Sequence, residues 1–473
     1  MDTTPQAVAL PERFEAWFGA RGWRVRRHQL AVLAAVRAGR SVLLTAPTGG
    51  GKTLAGFLPA LAELAALPAE RAPALHTLYV SPLKALAVDI HRNLEAPIGE
   101  MGLAIRAETR TGDTPQARRQ RQRRQPPDIL LTTPEQLALM LSYRDADAYF
   151  RHLRHVVIDE LHAFAGSKRG DLLALGLARL ATLAPQATRI GLSATVADPP
   201  GLARFVGCGG PAEVIDGGRG PIPKIDILSS RTRVPWAGHM TLHALPEVYE
   251  AIRRHRTVLV FVNTRAQAEV IFQSLWRLND DGLAIALHHG SLSVEQRRKV
   301  EAAMTRGALR AVVCTSTLDL GIDWGDVDLV VQVGAPKGLS RLVQRIGRAN
   351  HRMDEPSRAL LVPSNRFEVL ECRAAADAVV QGELDGGPPR QGGLDVLAQH
   401  ILGRACSAPF TPDELYGEVT RAEPYRALGR DDFDQVLEFV ASGGYALRRY
   451  ERYHRLRRLE DGRLDVAGPP VAR

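Results

Sequence analysis

The stretch Ser41-Val42-Leu43-Leu44-Thr45-Ala46-Pro47-Thr48-Gly49-Gly50-Gly51-Lys52-Thr53, followed by a Leu/Ala-rich segment, decides how the rest of the chain is read. Its apolar start is a strand, the three glycines are a loop, and the run from Lys52 has helical composition. Strand, glycine loop and helix is the order a nucleoside triphosphate site needs. Glycines let successive backbone N–H groups curl around phosphate oxygens, and the positive end of the next helix adds to the attraction. In that arrangement Thr48, Gly49, Gly50 and Gly51 line the phosphates. Lys52 reaches the β- and γ-phosphates, and the Thr53 hydroxyl holds Mg²⁺. Ala46 stands where the full pattern has glycine. ATP and Mg²⁺ are therefore the expected cofactors.

Downstream, Asp159-Glu160-Leu161-His162 closes the apolar run 155–158, at the C-terminal end of a buried strand, where open α/β sheets bind ligands. Neighbouring strand residues point to opposite faces, so two adjacent carboxylates can take different tasks. Asp159 is read as the second Mg²⁺ ligand and Glu160 as the group that polarises the attacking water. By themselves the two carboxylates read as an exposed acidic pair. The phosphate loop upstream turns the reading to function.

The remaining motifs appear in a fixed order. Gln29 follows Trp23 and Arg26-Arg27-His28; then come Ser81-Pro82-Leu83-Lys84-Ala85-Leu86, Thr132-Thr133-Pro134-Glu135 and Ser193-Ala194-Thr195. Phe261-Val262-Asn263-Thr264-Arg265, Thr315-Ser316-Thr317, Gly321-Ile322-Asp323 and Gln344-Arg345-Ile346-Gly347-Arg348 complete the set. In this order the chain resembles the superfamily 2 DExH-box helicases. Glu135 departs from the commoner Gly or Arg-type neighbours of its motif. Leu161-His162 sets the chain apart from the DEAD-box RNA remodellers. The wording VSPLKALAVDI, FVNTRAQAE and QRIGRANHR is similar to the large helicase-related proteins of bacteria, and within them to the ligase-associated DEXH-box branch. That likeness covers essentially the whole chain.

The resemblance implies a role for each matched residue. Gln29 reads the adenine, while Gly321, Asp323 and Gln344 add contacts to the nucleotide. Pro82, Lys84, Thr133, Arg265 and Thr315 grip a nucleic-acid strand, and Ser193, Ala194 and Thr195 couple hydrolysis to movement. Arg345 and Arg348 are three apart, share a helix face, and look like arginine fingers that neutralise transition-state charge together with Lys52, Asp159 and Glu160. The expected activity is an ATP-dependent helicase that moves 3′ to 5′ on single-stranded DNA, acts on tailed duplexes or RNA–DNA hybrids, and serves DNA repair. An enzyme that unwinds RNA or RNA–DNA hybrids is the runner-up, since a grip on the backbone does not choose the sugar. A scaffold that binds nucleic acid without a motor is a rival from another class; the intact catalytic set argues against it. A DNA ligase and a nuclease enter as partners through the branch's name alone.

Composition agrees. At 473 residues three domains are expected, and 45% hydrophobic content supports sizeable cores. A net charge of +9 points to a polyanionic partner, although Arg/Ala-biased coding also yields basic chains. Cys208, Cys314, Cys372 and Cys406 are isolated, so neither a disulfide framework nor a zinc site follows from their spacing. Residues 1–14 carry no export pattern, and charges interrupt every long apolar stretch. A cytoplasmic protein with no membrane span is expected.

The pattern predicts α/β architecture: two tandem RecA-like parallel-sheet domains followed by a small winged-helix domain. Strands are expected at 42–44, 77–80, 129–131, 156–158 and 190–192. A Gly/Pro-rich linker follows at 207–223, then strands at 258–262, 284–288, 311–314 and 329–333. The boundaries fall at 1–217 for the ATP-binding domain, 218–388 for the arginine-finger domain and 389–473 for the winged helix. In that last part a helix spans 394–406, and Thr411-Pro412-Asp413-Glu414 opens another with a capping box. A third helix runs from about 430 to Gly443-Gly444, and strands at 456–460 and 463–466 flank a two-residue turn, Asp461-Gly462. Two basic runs, Arg118, Arg119, Arg121, Arg123, Arg124 and Arg448, Arg449, Arg452, Arg455, Arg457, Arg458, suit phosphate contacts. The first run is equally a solvated helix face. His288, His289 and Trp324 read as core. The family normally continues into a further β-rich domain, so a chain ending at Arg473 reads as a truncated or a naturally short version. Removing residues 392–473 is expected to leave the hydrolytic groups in place, unless that segment covers apolar surface of the second domain.

Overall fold

A computed structural model describes residues 9–468 apart from 48, 195, 219, 239, 320–325, 350–355, 386–389, 445–446, 448 and 451–453. The apolar runs of the first half become strands of one sheet: β1 (Val42–Thr45), β2 (Thr77–Val80), β3 (Ala107–Arg110), β4 (Ile129–Thr132), β5 (His155–Ile158), β6 (Thr188–Ser193) and β7 (Glu213–Asp216). Their order is β3-β4-β2-β5-β6-β1-β7, and every pairing is parallel. Parallel neighbours need crossover connections, which cover both faces with helices. The period-2 alternation follows. Leu43, Leu78 and Val156 face one core, while Leu44, Tyr79 and Val157 face the other.

The second sheet holds β8 (Lys224–Ile227), β9 (Val258–Phe261), β10 (Ile285–His288), β11 (Ala311–Cys314), β12 (Leu329–Val333) and β13 (Arg358–Val362), in the order β10-β11-β9-β12-β13-β8, again all parallel. Every expected strand is present. The stretch expected as a linker, 207–223, is not wholly one, because it contains β7, which extends the first sheet beside β1. Four strands of the described residues lie outside those expected: β3, β7 and β8, which are sheet edges with polar side chains on an open face, and β13, which is interior between β12 and β8 and carries the apolar run Ala359-Leu360-Leu361-Val362.

The C-terminal part folds as three helices, Leu394–Ser407, Pro412–Val419 and Arg430–Ser442, and a hairpin of β14 (Leu456–Arg458) and β15 (Leu464–Val466). The Thr411–Glu414 capping box forms as expected. The hairpin loop has three residues, not two. Leu459 N donates to Arg463 O at 2.8 Å, so Glu460, Asp461 and Gly462 make the bend, with Gly462 at φ 83° closing it. Phe410 adds a third antiparallel rung by exchanging both backbone hydrogen bonds with Leu464.

This winged helix docks on the first domain. Its Val396, Leu397, Ile401, Phe410, Phe433 and Leu464 belong to the same apolar core as Leu137, Phe150, Leu173 and Leu177 of the first domain. None of the cores of the second domain contains a residue beyond Val379 among the described residues. Through this core Arg179 Nη1 donates to Glu418 Oε2 at 3.1 Å, with both side chains buried. Thr182 Oγ1 donates to the same oxygen at 3.1 Å, and His400 Nε2 stands 3.6 Å from Oε1. Burial by itself would raise the Glu418 carboxyl, but His400 and Arg179 hold it down at about 2.

Candidate functional site

The phosphate loop leaves the C-terminal end of β1, between β6 and β7. Ala46 N donates to Ser193 O at 3.1 Å, and Gly217 N to Thr45 O at 2.7 Å. Ala46, the departure from the full pattern, is accommodated by Gly217, where an added Cβ would lie 2.5 Å from that of Ala46. Gly51 takes φ 70° as the helix Lys52–Ala66 begins, and a Cβ there would meet Gln29 Nε2 at 2.9 Å. Glycine at this position answers both backbone conformation and space. Lys52 Nζ donates to Ala46 O at 2.8 Å and Pro47 O at 2.9 Å, the loop carbonyls standing where phosphate oxygens would otherwise be met. Burial lowers the Lys52 pKa, while Glu160 and Asp159 oppose that shift.

Two consecutive side chains clamp the helix Arg27–Arg37 onto this loop. Gln29 accepts from Arg26 N at 3.0 Å and donates to Gly51 O at 3.2 Å, and His28 Nε2 lies 2.8 Å from Gly50 O. Gln29 thus braces the loop that its expected adenine contact would adjoin. His28 carried no signal of its own beyond its place beside Gln29.

Across the loop, β5 delivers Asp159 and Glu160. Asp159 is buried; Tyr79 donates to its Oδ2 at 2.6 Å and Glu160 N to its Oδ1 at 2.8 Å. Burial and the adjacent Glu160 charge raise the Asp159 carboxyl, which is the electrostatic setting a divalent cation would relieve. Hard oxygen donors from Asp159 and Thr53 suit Mg²⁺. Glu160 sits at φ 48°, a left-handed conformation that costs a non-glycine residue on the order of 1–3 kcal/mol and clusters at functional sites.

His162 links this pair to the next motif. Ala194 N donates to His162 Nδ1 at 3.3 Å, and Ser193 Oγ lies 3.2 Å from the same atom. Nδ1 therefore carries no proton, and the neutral ring keeps its proton on Nε2, 3.4 Å from Glu160 Oε2. Burial lowers the His162 pKa and holds this neutral form. Thr195 lies outside the described residues, as do Thr48, Gly321, Trp324 and Asp323.

The two arginines of the second domain part company. Arg348, just past the helix Leu339–Ile346, is buried, and its charge lowers the pKa of both Lys52 and His162 across the cleft. Arg345 does not join it, which corrects the expectation of a shared face. Its Nε donates to Asp319 Oδ1 at 2.8 Å, Nη2 to Asp319 Oδ2 at 3.3 Å and Nη1 to Gln332 Oε1 at 2.6 Å, and the guanidinium stacks 4.8 Å over Phe261. A three-residue step on a helix keeps Cβ atoms together. Here the helix ends between them, so Arg345 turns into the domain and Arg348 out of it. Gln344 lies half-buried on the same helix.

The expected strand-contact residues all follow C-terminal strand ends; Pro82, Lys84 and Thr133 share that edge of the first sheet with the phosphate loop, and Arg265 and Thr315 lie at the corresponding edge of the second sheet. Lys84 Nζ pairs with exposed Asp113 at 2.9 Å. Pro82 O accepts from Arg169 Nη1 at 2.6 Å, and Arg169 also holds Glu135, the departure noted in the sequence. Thr133 is buried at the start of the helix Pro134–Leu141, and Thr315 is buried beyond β11. Arg265 Nη1 donates to Ser291 Oγ at 2.7 Å. His288 and His289 are buried, as expected, and paired with Glu301 and Glu269. Sequence reading missed Tyr79, Asp319, Gln332 and Arg169, because each acts through a partner far away along the chain.

Known proteins share this arrangement. Residues 26–201 match the DEAD/DEAH box helicase family, 240–353 the helicase conserved C-terminal domain and 377–473 the large helicase-related protein winged helix domain. The ATP-dependent helicase Lhr-Core protein 2 of Thermococcus barophilus is 38% identical over 458 residues, covering 92% of this chain and 53% of that protein. The Lhr helicase/uracil glycosylase of Escherichia coli is 37% identical over 85% of this chain and 30% of its own length. Among solved structures, the Mycobacterium smegmatis helicase Lhr, bound to ssDNA and AMP-PNP, superposes with a TM-score of 0.86 at 35% identity, covering 98% of this chain and 61% of that one. The chain thus spans about half the length of the Lhr-Core relative. No helix among the described residues is long and apolar enough to cross a membrane. With a phosphate loop, an acidic pair, an arginine from a second parallel-sheet domain and a winged helix in this order, the chain belongs to the large helicase-related family of ATP-dependent helicases.

Proposed function

We propose that the protein is an ATP-driven translocase that walks 3′ to 5′ along single-stranded DNA and unwinds tailed duplexes in DNA repair. Its three working parts are residues 1–217, 218–388 and 389–473. The observation that carries this reading is the composite cleft, in which Arg348 of the second domain sets its charge against Lys52 and His162 of the first. A γ-phosphate held there would draw the two domains together, and its hydrolysis would release them.

In this reading Thr48, Gly49, Gly50, Gly51 and Lys52 bind the phosphates, and Thr53 and Asp159 would hold Mg²⁺. Glu160 orients the attacking water, and Arg348 supplies positive charge to the transition state. Gln29, Gly321, Asp323 and Gln344 complete the nucleotide contacts. Arg345 serves as a positioning residue that fixes the Arg348 segment on Asp319. The contact Glu160–His162–Ser193/Ala194 gives the coupling motif a physical link to the water-activating carboxylate. Pro82, Lys84, Thr133, Arg265 and Thr315 grip the strand backbone, so sequence would hardly matter. The single-stranded DNA bound by the mycobacterial relative supports DNA as the track. A ligase and a nuclease remain the partners suggested by the branch resemblance.

The test is unwinding of 3′-tailed and 5′-tailed DNA duplexes and of RNA–DNA hybrids with ATP and Mg²⁺, beside ATPase activity with and without strands. Unwinding of 3′-tailed DNA with strand-stimulated ATPase is expected. Preference for a 5′ tail would overturn the polarity, and preference for an RNA track would overturn the substrate.

A further inference from the structure

At the edge of the first sheet opposite the nucleotide, three side chains converge that the ATP cycle does not use. Glu63 is on the helix Lys52–Ala66, His76 immediately precedes β2, and His155 opens β5. One ligand atom from each lies within 4.8 Å of the others. His155 Nε2 is 2.7 Å from Glu63 Oε2, and His76 Nε2 is 3.7 Å from Glu63 Oε1. Both imidazoles are buried, at 8% exposure for His76 and 4% for His155.

The far nitrogen of each ring is held by a threonine. His76 Nδ1 is 2.8 Å from Thr77 Oγ1, and His155 Nδ1 is 2.8 Å from Thr188 Oγ1. A hydrogen bond at that position is what orients a metal-binding histidine; without an ion His155 Nε2–H donates to Glu63 Oε2, and a metal would take the place of that proton. His76 Nε2 is buried without a hydrogen-bond partner, aimed towards Glu63.

We propose that Glu63, His76 and His155 form a site for one divalent transition-metal ion, zinc or its congeners cobalt and nickel, with a fourth position left for water. Two imidazole nitrogens and one carboxylate oxygen suit these ions better than Mg²⁺ or Ca²⁺, which take oxygen. Around a tetrahedral ion with bonds of about 2.0–2.1 Å, ligand atoms lie about 3.3 Å apart. The distances run to different oxygens, 2.7 Å from His155 Nε2 to Oε2 and 3.7 Å from His76 Nε2 to Oε1, so the Glu63 carboxylate must rotate to set one oxygen between the two rings. Burial lowers the His155 pKa and favours the neutral ring that a metal needs. Arg154, with Nε 3.2 Å from Glu63 Oε1 and a half-exposed side chain, competes for the carboxylate and must swing to solvent.

The ion would not take part in hydrolysis, because the four-residue step from His155 to Asp159 spans about 13 Å of strand. It would tie together three elements whose other ends carry Lys52, Tyr79 and Asp159. Its effect is on the rigidity of the nucleotide-binding domain.

The full chain, freed of metal, is titrated with CoCl2 followed by visible absorption and with ZnCl2 followed by calorimetry and melting temperature. One equivalent is expected to bind with a nitrogen/oxygen-ligand cobalt spectrum and a raised melting temperature. H76N and H155N should each weaken binding by more than about 100-fold, beyond the roughly 10–100-fold that loss of an orienting partner costs. R154A should tighten it. Absence of one-to-one binding in the unaltered chain, or equal affinity in H76N, would overturn the site and leave a histidine–glutamate–arginine ion-pair cluster.

Discussion

The first domain meets its two neighbours in opposite ways. Towards the winged helix it offers one continuous apolar core with the buried pair Arg179–Glu418 inside it. Towards the second domain no apolar core is shared among the described residues, and charge reaches across instead, from Arg348 to Lys52 and His162 and from Arg298 to Asp113. Apolar burial is non-directional and holds surfaces together in a single arrangement. Charges around a phosphate loop depend on what lies between them, so that interface can open and close with the nucleotide. In the proposed cycle the winged helix would be a fixed extension of the first domain and the second domain its moving partner.

The largest expected effect breaks the fixed side. Removing residues 392–473 strips the winged-helix side from the shared core and exposes what it covers, so the truncated chain should aggregate or melt far below the full chain in scanning calorimetry. The structure thus revises the expectation that the hydrolytic groups survive the deletion, and the surface uncovered belongs to the first domain, not the second. A truncated chain that melts normally would break the comparison. On the moving side, Arg348→Ala should lower kcat for ATP by about 10³–10⁵-fold with little change in melting temperature. Arg345→Ala should instead destabilise the second domain, since it leaves buried Asp319 only the longer pair with half-exposed Arg341 and leaves Gln332 Oε1 without its donor; steady-state kinetics beside thermal melting separates the two.

Next in size, Arg179→Ala should cost at most about 3–5 kcal/mol, because it removes the buried cation from Glu418 and leaves Thr182 and His400 as its partners. Denaturant melts should then show the first domain and the winged helix losing stability together. The same pair gives a pH signature. Glu418 has its folded pKa depressed to about 2 from an ordinary value of 4.5, so its contribution is complete above about pH 4.5. That contribution is lost as pH falls through the folded value. Stability from pH 5 down to 2 should drop less steeply in Glu418→Gln than in the unaltered chain. The smallest effect is expected of Lys168→Ala, whose pair with Asp395 is exposed on both sides; its melting temperature should not change measurably.

The strands and the phosphate loop were legible because their signals are local. An apolar run of four, three glycines and a lysine carry their meaning within a dozen residues. Strands β3, β7 and β8 were not, since an edge strand needs no apolar run and β7 sat in a Gly/Pro-rich stretch; interior β13 was missed although its run 359–362 is apolar. The three-residue wing loop differed from the expected two-residue turn because Glu460 is polar and suits either bend. Arg345 and Arg348 could not be told apart in the sequence, since helical spacing predicts a common face until the helix end between them is known.

What the sequence determined alone is the chemistry: a triphosphate loop, an acidic pair at a strand end, and two parallel-sheet domains followed by a winged helix. Each rests on backbone conformation and side chains that lie close along the chain, so neighbours suffice to specify them. The tertiary structure decided that Arg345 pairs with Asp319 while the Arg348 charge reaches Lys52 and His162, which domain the winged helix rests on, and that Glu63, His76 and His155 meet. Those outcomes depend on pairs such as Arg179 and Glu418, 239 residues apart. Packing chooses among many sterically allowed partners at that separation, and no local pattern records the choice.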